Sequence, residues 1–436
     1  MSRPDAAVGI VRFAGVKRAL AALSLLSLAT AVGAVLVLAT QSLLARQLGP
    51  AAYGLFASSL ATVSMIAPFA GFGLSQFRLR VYGAEGWSAD RWTVPSVRLS
   101  VLTGLLACTA VIAWAALVPP TTGRVLLLLI PMVPALLAVE LVGCKLRLEE
   151  RYQVLAGWQL LLPAGRLVVA LLAVLLAATQ VLPIALGYGV VAALVATMAI
   201  PHVRAMLRGE MELHGHGPRP ERWPAMSVPS AREVWAQAWP YGVAAALYPI
   251  FFQVSTVMLK YLGGDIHAGR FGIAMAVMSA IYLIPTTIYQ KFLLSKLHRW
   301  AAHDRSRFWM VYRRGIIAML GLGSSIGVLL LFAMPVAVPR IFGPAYLGVV
   351  PVLSVLALCP PIRFLSTAVG SILLTGTHMY YRVLMMALAT MVTIILDLLL
   401  IPGHREMGAA YAIVGGEIAL FTTTWVGARR FGAEFR

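Results

Sequence analysis

The stretch LARQLGPAAYG, Leu44 to Gly54, decides how the whole chain is read. It separates two apolar runs, Leu20–Ala45 and Ala51–Gly71. The first is apolar but for small hydroxyls and Gln41, and a helix of its length, about 39 Å, crosses a bilayer core with some tilt. Gly49 permits a tight turn and Pro50 suits the first position of a new helix. The second run therefore returns through the membrane, ending at GFGLSQFRLR (71–80), where Arg78 and Arg80 mark a basic side. A related turn recurs in the second half, at KYLGGDIHAGRFGIAMAV (260–277). Leu48-Gly49 matches Leu262-Gly263, and Gly54 with Phe56 matches Gly269 with Phe271 if one extra residue is allowed. A hairpin repeated at half the chain length implies two similar lobes, the internal duplication found in membrane transporters.

Composition agrees. Hydrophobic residues make up 60% of the 436 residues and charged residues 12%, with a mean hydropathy of +0.85. No soluble core of this size needs that much apolar surface, so the bilayer is the solvent. The net charge of +19 does not point to nucleic acid. The basic residues sit in short loops between apolar runs, where the positive-inside rule accounts for them. The mildly basic residues 1–20 precede a run too long for a cleaved signal peptide and read as a retained cytoplasmic start. Cys108, Cys144 and Cys359 lie in or at the ends of apolar runs, lack metal spacing and read as small core residues. Neither a metal nor a cofactor is expected. The absence of Asn and the excess of Arg over Lys suit a GC-rich bacterial genome.

The runs predict an all-α polytopic protein of twelve transmembrane helices, arranged six plus six. In the first lobe they lie at Leu20–Ala45, Ala51–Gly71, Leu99–Val118, Val125–Cys144, Tyr152–Thr179 and Val181–Ile200. In the second they lie at Trp235–Tyr261, Gly269–Tyr289, Gly315–Val338, Gly348–Leu374, Val383–Ile401 and Met407–Val426. The lobes are then residues 1–203 and 234–436, joined by a cytoplasmic linker at 204–233. Arg78–Arg98 is expected to be a polar connector with Trp87 and Trp92 as interfacial anchors, and PPTTGR (119–124) a tight turn. With the N-terminus inside, inside segments hold 27 of the 35 Lys and Arg, outside turns hold six, and Arg166 and Arg363 fall within spans. That asymmetry predicts both termini on the cytoplasmic side.

No catalytic constellation is visible: there is no Walker A sequence, no His pair with metal spacing inside a span, and no Ser/His/Asp arrangement that spacing alone picks out. His214 and His216 read as solvated linker residues. What remains is a handful of ionisable residues inside spans, each costly there and a functional candidate by default. Arg166 lies in LLPAGRLVV (161–169), and Arg363 in CPPIRFL (359–365) just after Pro360-Pro361, which should break the helix. Each has two readings, a bidentate contact with phosphate or pairing with Glu140, Asp397 or Glu417. Glu417, in IVGGEIALF (413–421), reads as a proton or cation relay or as an arginine's partner, with the partner role preferred. Asp397 and Glu140 lie toward the ends of their spans and read as snorkelling to the interface. Arg46, Lys260 and Arg270 line the matching outer turns, where a surface role is the plain reading.

LARQLGPAAYGLFASSL (44–60) followed by GFGLSQFR (71–78) resembles the opening of Wzx-type polysaccharide (oligosaccharidyl-lipid) flippases of the MOP superfamily. So do IFGPAYLGVVPVLSVLAL (341–358), SILLTGTHMYYRVL (371–384) and LDLLLIPGHREMGAAYAIV (396–414). The family usually has Asn near the place of Asp397, and the loop IPGHREMG (401–408) also departs from its pattern. The resemblance spans nearly the whole chain. It implies the MATE-like fold, two pseudo-symmetric six-helix lobes around a central cavity. It also implies a task in the bacterial cytoplasmic (inner) membrane: moving undecaprenyl-diphosphate-linked oligosaccharide from the inner to the outer leaflet by alternating access. The polysaccharide polymerase and glycosyltransferases of the same pathway would be its partners, beside membrane lipids. Cavities in the family are cationic, which puts forward Arg46, Arg78, Arg166, Arg270 and Arg363 as diphosphate-binding candidates. Glu417, Asp397 and Glu140 are then candidates for ion coupling or charge pairing. The alternative is a cation-coupled multidrug exporter of the same fold. Such an exporter is expected to carry acids in its first lobe, whereas the first three spans here contain none.

Overall fold

The computed structural model describes residues 4–213, 227–289, 305–374 and 379–432. Among the described residues there is no strand, and nine continuous segments are long and apolar enough to cross a membrane. Two of these hold more than one crossing. The helix Pro4–Ile66 leaves helical geometry at Gly49 (φ 72°, ψ 171°), and Tyr53 Oη donates to Gln41 Oε1 at 2.6 Å. In unbroken helix those residues would stand roughly 18 Å apart, so the two arms are antiparallel. Met379–Gly432 folds back in the same way at Arg405 (φ 50°), where Tyr381 Oη donates to the Thr423 carbonyl at 3.1 Å. The third pass, Thr93–Leu117, continues the first segment. The others are Pro120–Leu148, Tyr152–Leu175, Val181–Leu207, Ala231–Gly263, Asp265–Tyr289, Ser306–Ile341 and Val349–Leu373, the fourth to tenth in order. With the arms of Met379–Gly432 as the eleventh and twelfth, the passes among the described residues number twelve.

Gly264 (φ 97°) takes the turn role of Gly49. A single offset of 215 residues then relates Gly49, Gly54 and Phe56 to Gly264, Gly269 and Phe271, without the extra residue that a match on Leu262-Gly263 required. These equivalent residues also meet. A methyl group on Gly54 would stand 1.8 Å from the Asp265 carbonyl oxygen, and one on Gly269 would stand 2.2 Å from that of Pro50. Residues related by an internal two-fold touch each other only where the axis passes between them. The second and eighth passes therefore cross on the pseudo-symmetry axis, and only glycine lets the backbones approach this closely.

Three segments differ from the sequence expectation. Most of the connector expected at Arg78–Arg98 is helical, in Leu74–Glu85, the short helix Gly86–Trp92 and the start of the third pass. Leu74, Phe77, Val81 and Tyr82 form an apolar stripe at helical spacing, and they bury it together with Trp87, Trp92, Met206, Met211, Val234 and Ala238. Trp87 and Trp92 are thus buried rather than anchored at the interface, and Trp92 Nε1 donates to Glu85 Oε2 at 3.2 Å. PPTTGR is not a turn throughout, because Pro120 opens the fourth pass, where its missing N–H costs nothing. The tenth pass does break, between Val349–Leu356 and Cys359–Leu374, and the two prolines sit in the first turn of its second helix. His214, His216 and the rest of 214–226, with most of the basic segment after Tyr289, lie outside the described residues.

Candidate functional site

Beside the Gly54–Gly269 crossing, the first, second, fifth, seventh and eighth passes line a cavity of about 370 Å³. Polar groups on its wall include Gln41, Tyr53, Ser64, Gln253 and Thr256, and among the described residues Arg166 is the one charged side chain there. The fifth pass delivers Arg166 three residues after Pro163. Gly165 lets it lie close to the sixth pass, since a methyl there would stand 2.4 Å from Val191 Cγ1. The guanidinium lies 5.5 Å from the centre of the Tyr188 ring and its Nη2 points at Met132 Sδ at 3.4 Å. Its Nε is buried without an acceptor, and no acid pairs with it among the described residues. A half-buried cation held by an aromatic face and a thioether, with donors to spare, is suited to an anion arriving through the cavity.

Arg363 has the same local sequence signature and a different environment. It is 6% exposed, with its guanidinium between the rings of Phe252 (5.0 Å), Tyr282 (5.3 Å), Tyr248 (5.6 Å) and Phe251 (5.8 Å). Its Nη1 lies 3.5 Å from Oε2 of Glu417, which is fully buried on the twelfth pass. Asp397, also fully buried, accepts from Ser255 Oγ at 2.7 Å, while its Oδ1 has no partner among the described residues. Glu140 is exposed on the fourth pass.

The remaining arginines lie elsewhere. Arg46 donates from Nε to the Ile341 carbonyl at 2.7 Å and from Nη2 to that of Arg340. Arg270 Nη1 lies 3.3 Å from Glu406 Oε1, and Glu406 also meets His267. Arg78 is 1% exposed on the helix Leu74–Glu85, and its three nitrogens find no acceptor among the described residues. The five arginines therefore do not converge on one site. Gln253 and Thr256, which no sequence motif singled out, do face the cavity. Their signal was present as polar residues inside the apolar run Trp235–Tyr261, each of which needs a reason in a membrane.

No protein-family model matches the sequence, and no curated protein matches it by sequence. Solved structures do match in fold. An inward-facing multidrug resistance MATE family transporter of the MOP superfamily aligns with a TM-score of 0.71 at 12% identity, covering 92% of this chain and 95% of that one. The lipid II flippase MurJ in an inward closed conformation aligns at 0.72 and 12% identity, covering 93% and 87%. A MOP superfamily transporter from Pyrococcus furiosus, described as having a binding pocket of reverse polarity, aligns at 0.60 and 14% identity, covering 95% and 96%. The chain thus has the MATE-like fold that MATE family transporters share with the lipid II flippase.

Proposed function

We propose that this protein is a flippase that moves a lipid-linked anion, a polyprenyl-diphosphate-linked oligosaccharide, from the cytoplasmic to the outer leaflet by alternating access. The observation that carries the proposal is Arg166, a cation on the wall of the central cavity with no acidic partner among the described residues. A cationic drug would be repelled there, whereas a diphosphate would satisfy the free donors bidentately. The resemblance of both halves to the Wzx-type family supports the same substrate class and a bacterial cytoplasmic membrane with both termini inside. The head group crosses within the cavity while the polyprenyl tail stays in lipid between the lobes. Asp397, buried with one carboxylate oxygen that has no partner among the described residues, is the group to which a coupling proton or cation would bind.

The test uses purified protein in liposomes holding a fluorescent polyprenyl-diphosphate oligosaccharide, with its leaflet followed by reagent accessibility beside a cationic-dye efflux assay. Protein-dependent crossing of the lipid-linked sugar is expected. Arg166→Gln should slow it at least tenfold, the scale of one lost hydrogen bond to a charged group. Normal crossing in Arg166→Glu would remove Arg166 from the mechanism. Dye efflux with a stationary lipid would overturn the substrate class.

A further inference from the structure

We propose that Arg46 is the latch that holds the Gly49 face of the protein closed, whatever substrate crosses. The first pass ends against the turn that joins the ninth and tenth. Arg46 donates to the Arg340 and Ile341 carbonyls, Ser42 Oγ donates to Ile341 at 2.5 Å, and Tyr346 Oη returns a bond to the Ala45 carbonyl at 3.1 Å. The accepting carbonyls close the last turn of the helix Arg305–Ile341, where they lack partners within the helix and carry its negative dipole end. A guanidinium is matched to that position in geometry and in charge. Gly343 (φ 98°) makes the turn, and it approaches the stem of Arg46.

Pseudo-symmetry shows what is unusual in this clasp. The first pass corresponds to the seventh and the ninth to the third, so the equivalent contact joins the seventh pass to the third. It is present as a neutral bond from Trp114 Nε1 to Tyr261 Oη at 3.0 Å between two exposed residues. The two clasps flank the Gly54–Gly269 crossing, and only the first carries a charge. Opening this face to release substrate must therefore break the Arg46 bonds. Arg46 is exposed, so water can solvate the freed guanidinium, which makes the clasp reversible.

The experiment places a cysteine at Ala57, on the cavity wall one turn from Gly54, in protein lacking Cys108, Cys144 and Cys359. Its rate of modification by a membrane-impermeant thiol reagent is measured from the Gly49 face in oriented vesicles. Arg46→Met should raise that rate about tenfold, as expected for one lost charge-assisted bond. Arg46→Lys, which keeps the charge and loses the fork, should fall between, and Trp114→Phe should change it less. Unchanged rates in folded Arg46→Met and Arg46→Lys would overturn the latch. If Arg46→Met does not fold, Arg46→Lys decides alone. A variant that loses affinity for polyprenyl diphosphate at an unchanged modification rate would make Arg46 a substrate ligand instead, and would also refute the latch.

Discussion

Replacing Arg363 by methionine should destabilise the protein by about 3–5 kcal/mol, the usual cost of leaving one member of a buried ion pair alone. Glu417 is fully buried, and Arg363 is its one cationic partner among the described residues, at 3.5 Å. The reverse change is predicted to cost less. In Glu417→Gln the guanidinium keeps four aromatic rings between 5.0 and 5.8 Å from its centre, and a desolvated cation–π contact is worth about 2 kcal/mol. A cost of about 1–3 kcal/mol is expected for that single change. The double variant removes both charges from the bilayer interior and should be close to neutral, or more stable than the parent. The assay is a double-mutant cycle read by equilibrium unfolding in mixed detergent micelles, followed by tryptophan fluorescence. Two results would refute the reasoning: equal, small losses in both singles, or a double variant as costly as the sum of the singles. Either would mean that Arg363 and Glu417 do not act as a pair.

Other outcomes follow from the same geometry. Gly54→Ala puts a methyl group 1.8 Å from a backbone carbonyl that cannot move aside, so the Gly49 face should fail to close. Faster thiol modification of the cavity from that face, with loss of transport, checks this. Asp397→Asn keeps an acceptor for Ser255 while removing a buried charge that has no cationic partner among the described residues. Its thermal stability should be unchanged or raised by about 1 kcal/mol or more, while any dependence of transport on a proton or sodium gradient disappears. Persistence of gradient dependence in that variant would take Asp397 out of the coupling.

How far the chain could be read in advance depended on whether the signal was local. Passage through a membrane is written into each apolar run, because hydrocarbon demands about twenty apolar residues and internally satisfied backbone. The hairpin at Gly49 and its copy in the second half were legible because a reversal there needs φ near 70–100°, which glycine adopts without strain. The amphipathic stripe Leu74, Phe77, Val81, Tyr82 went unread despite its helical spacing, because it straddles the start of Arg78–Arg98, which its charges made read as a polar connector.

The sequence by itself therefore determined an all-α, twelve-pass, internally duplicated membrane protein, since hydrophobic length and turn chemistry act within a few residues. It did not distinguish Arg166 from Arg363, two arginines that each follow a proline within three residues inside an apolar run. Tertiary structure made that division. Glu417, 54 residues along the chain, packs against Arg363 and neutralises it, while no acid reaches Arg166 among the described residues. A charge in a bilayer takes its role from whatever is brought within about 4 Å of it, and that neighbour is chosen by how the helices pack.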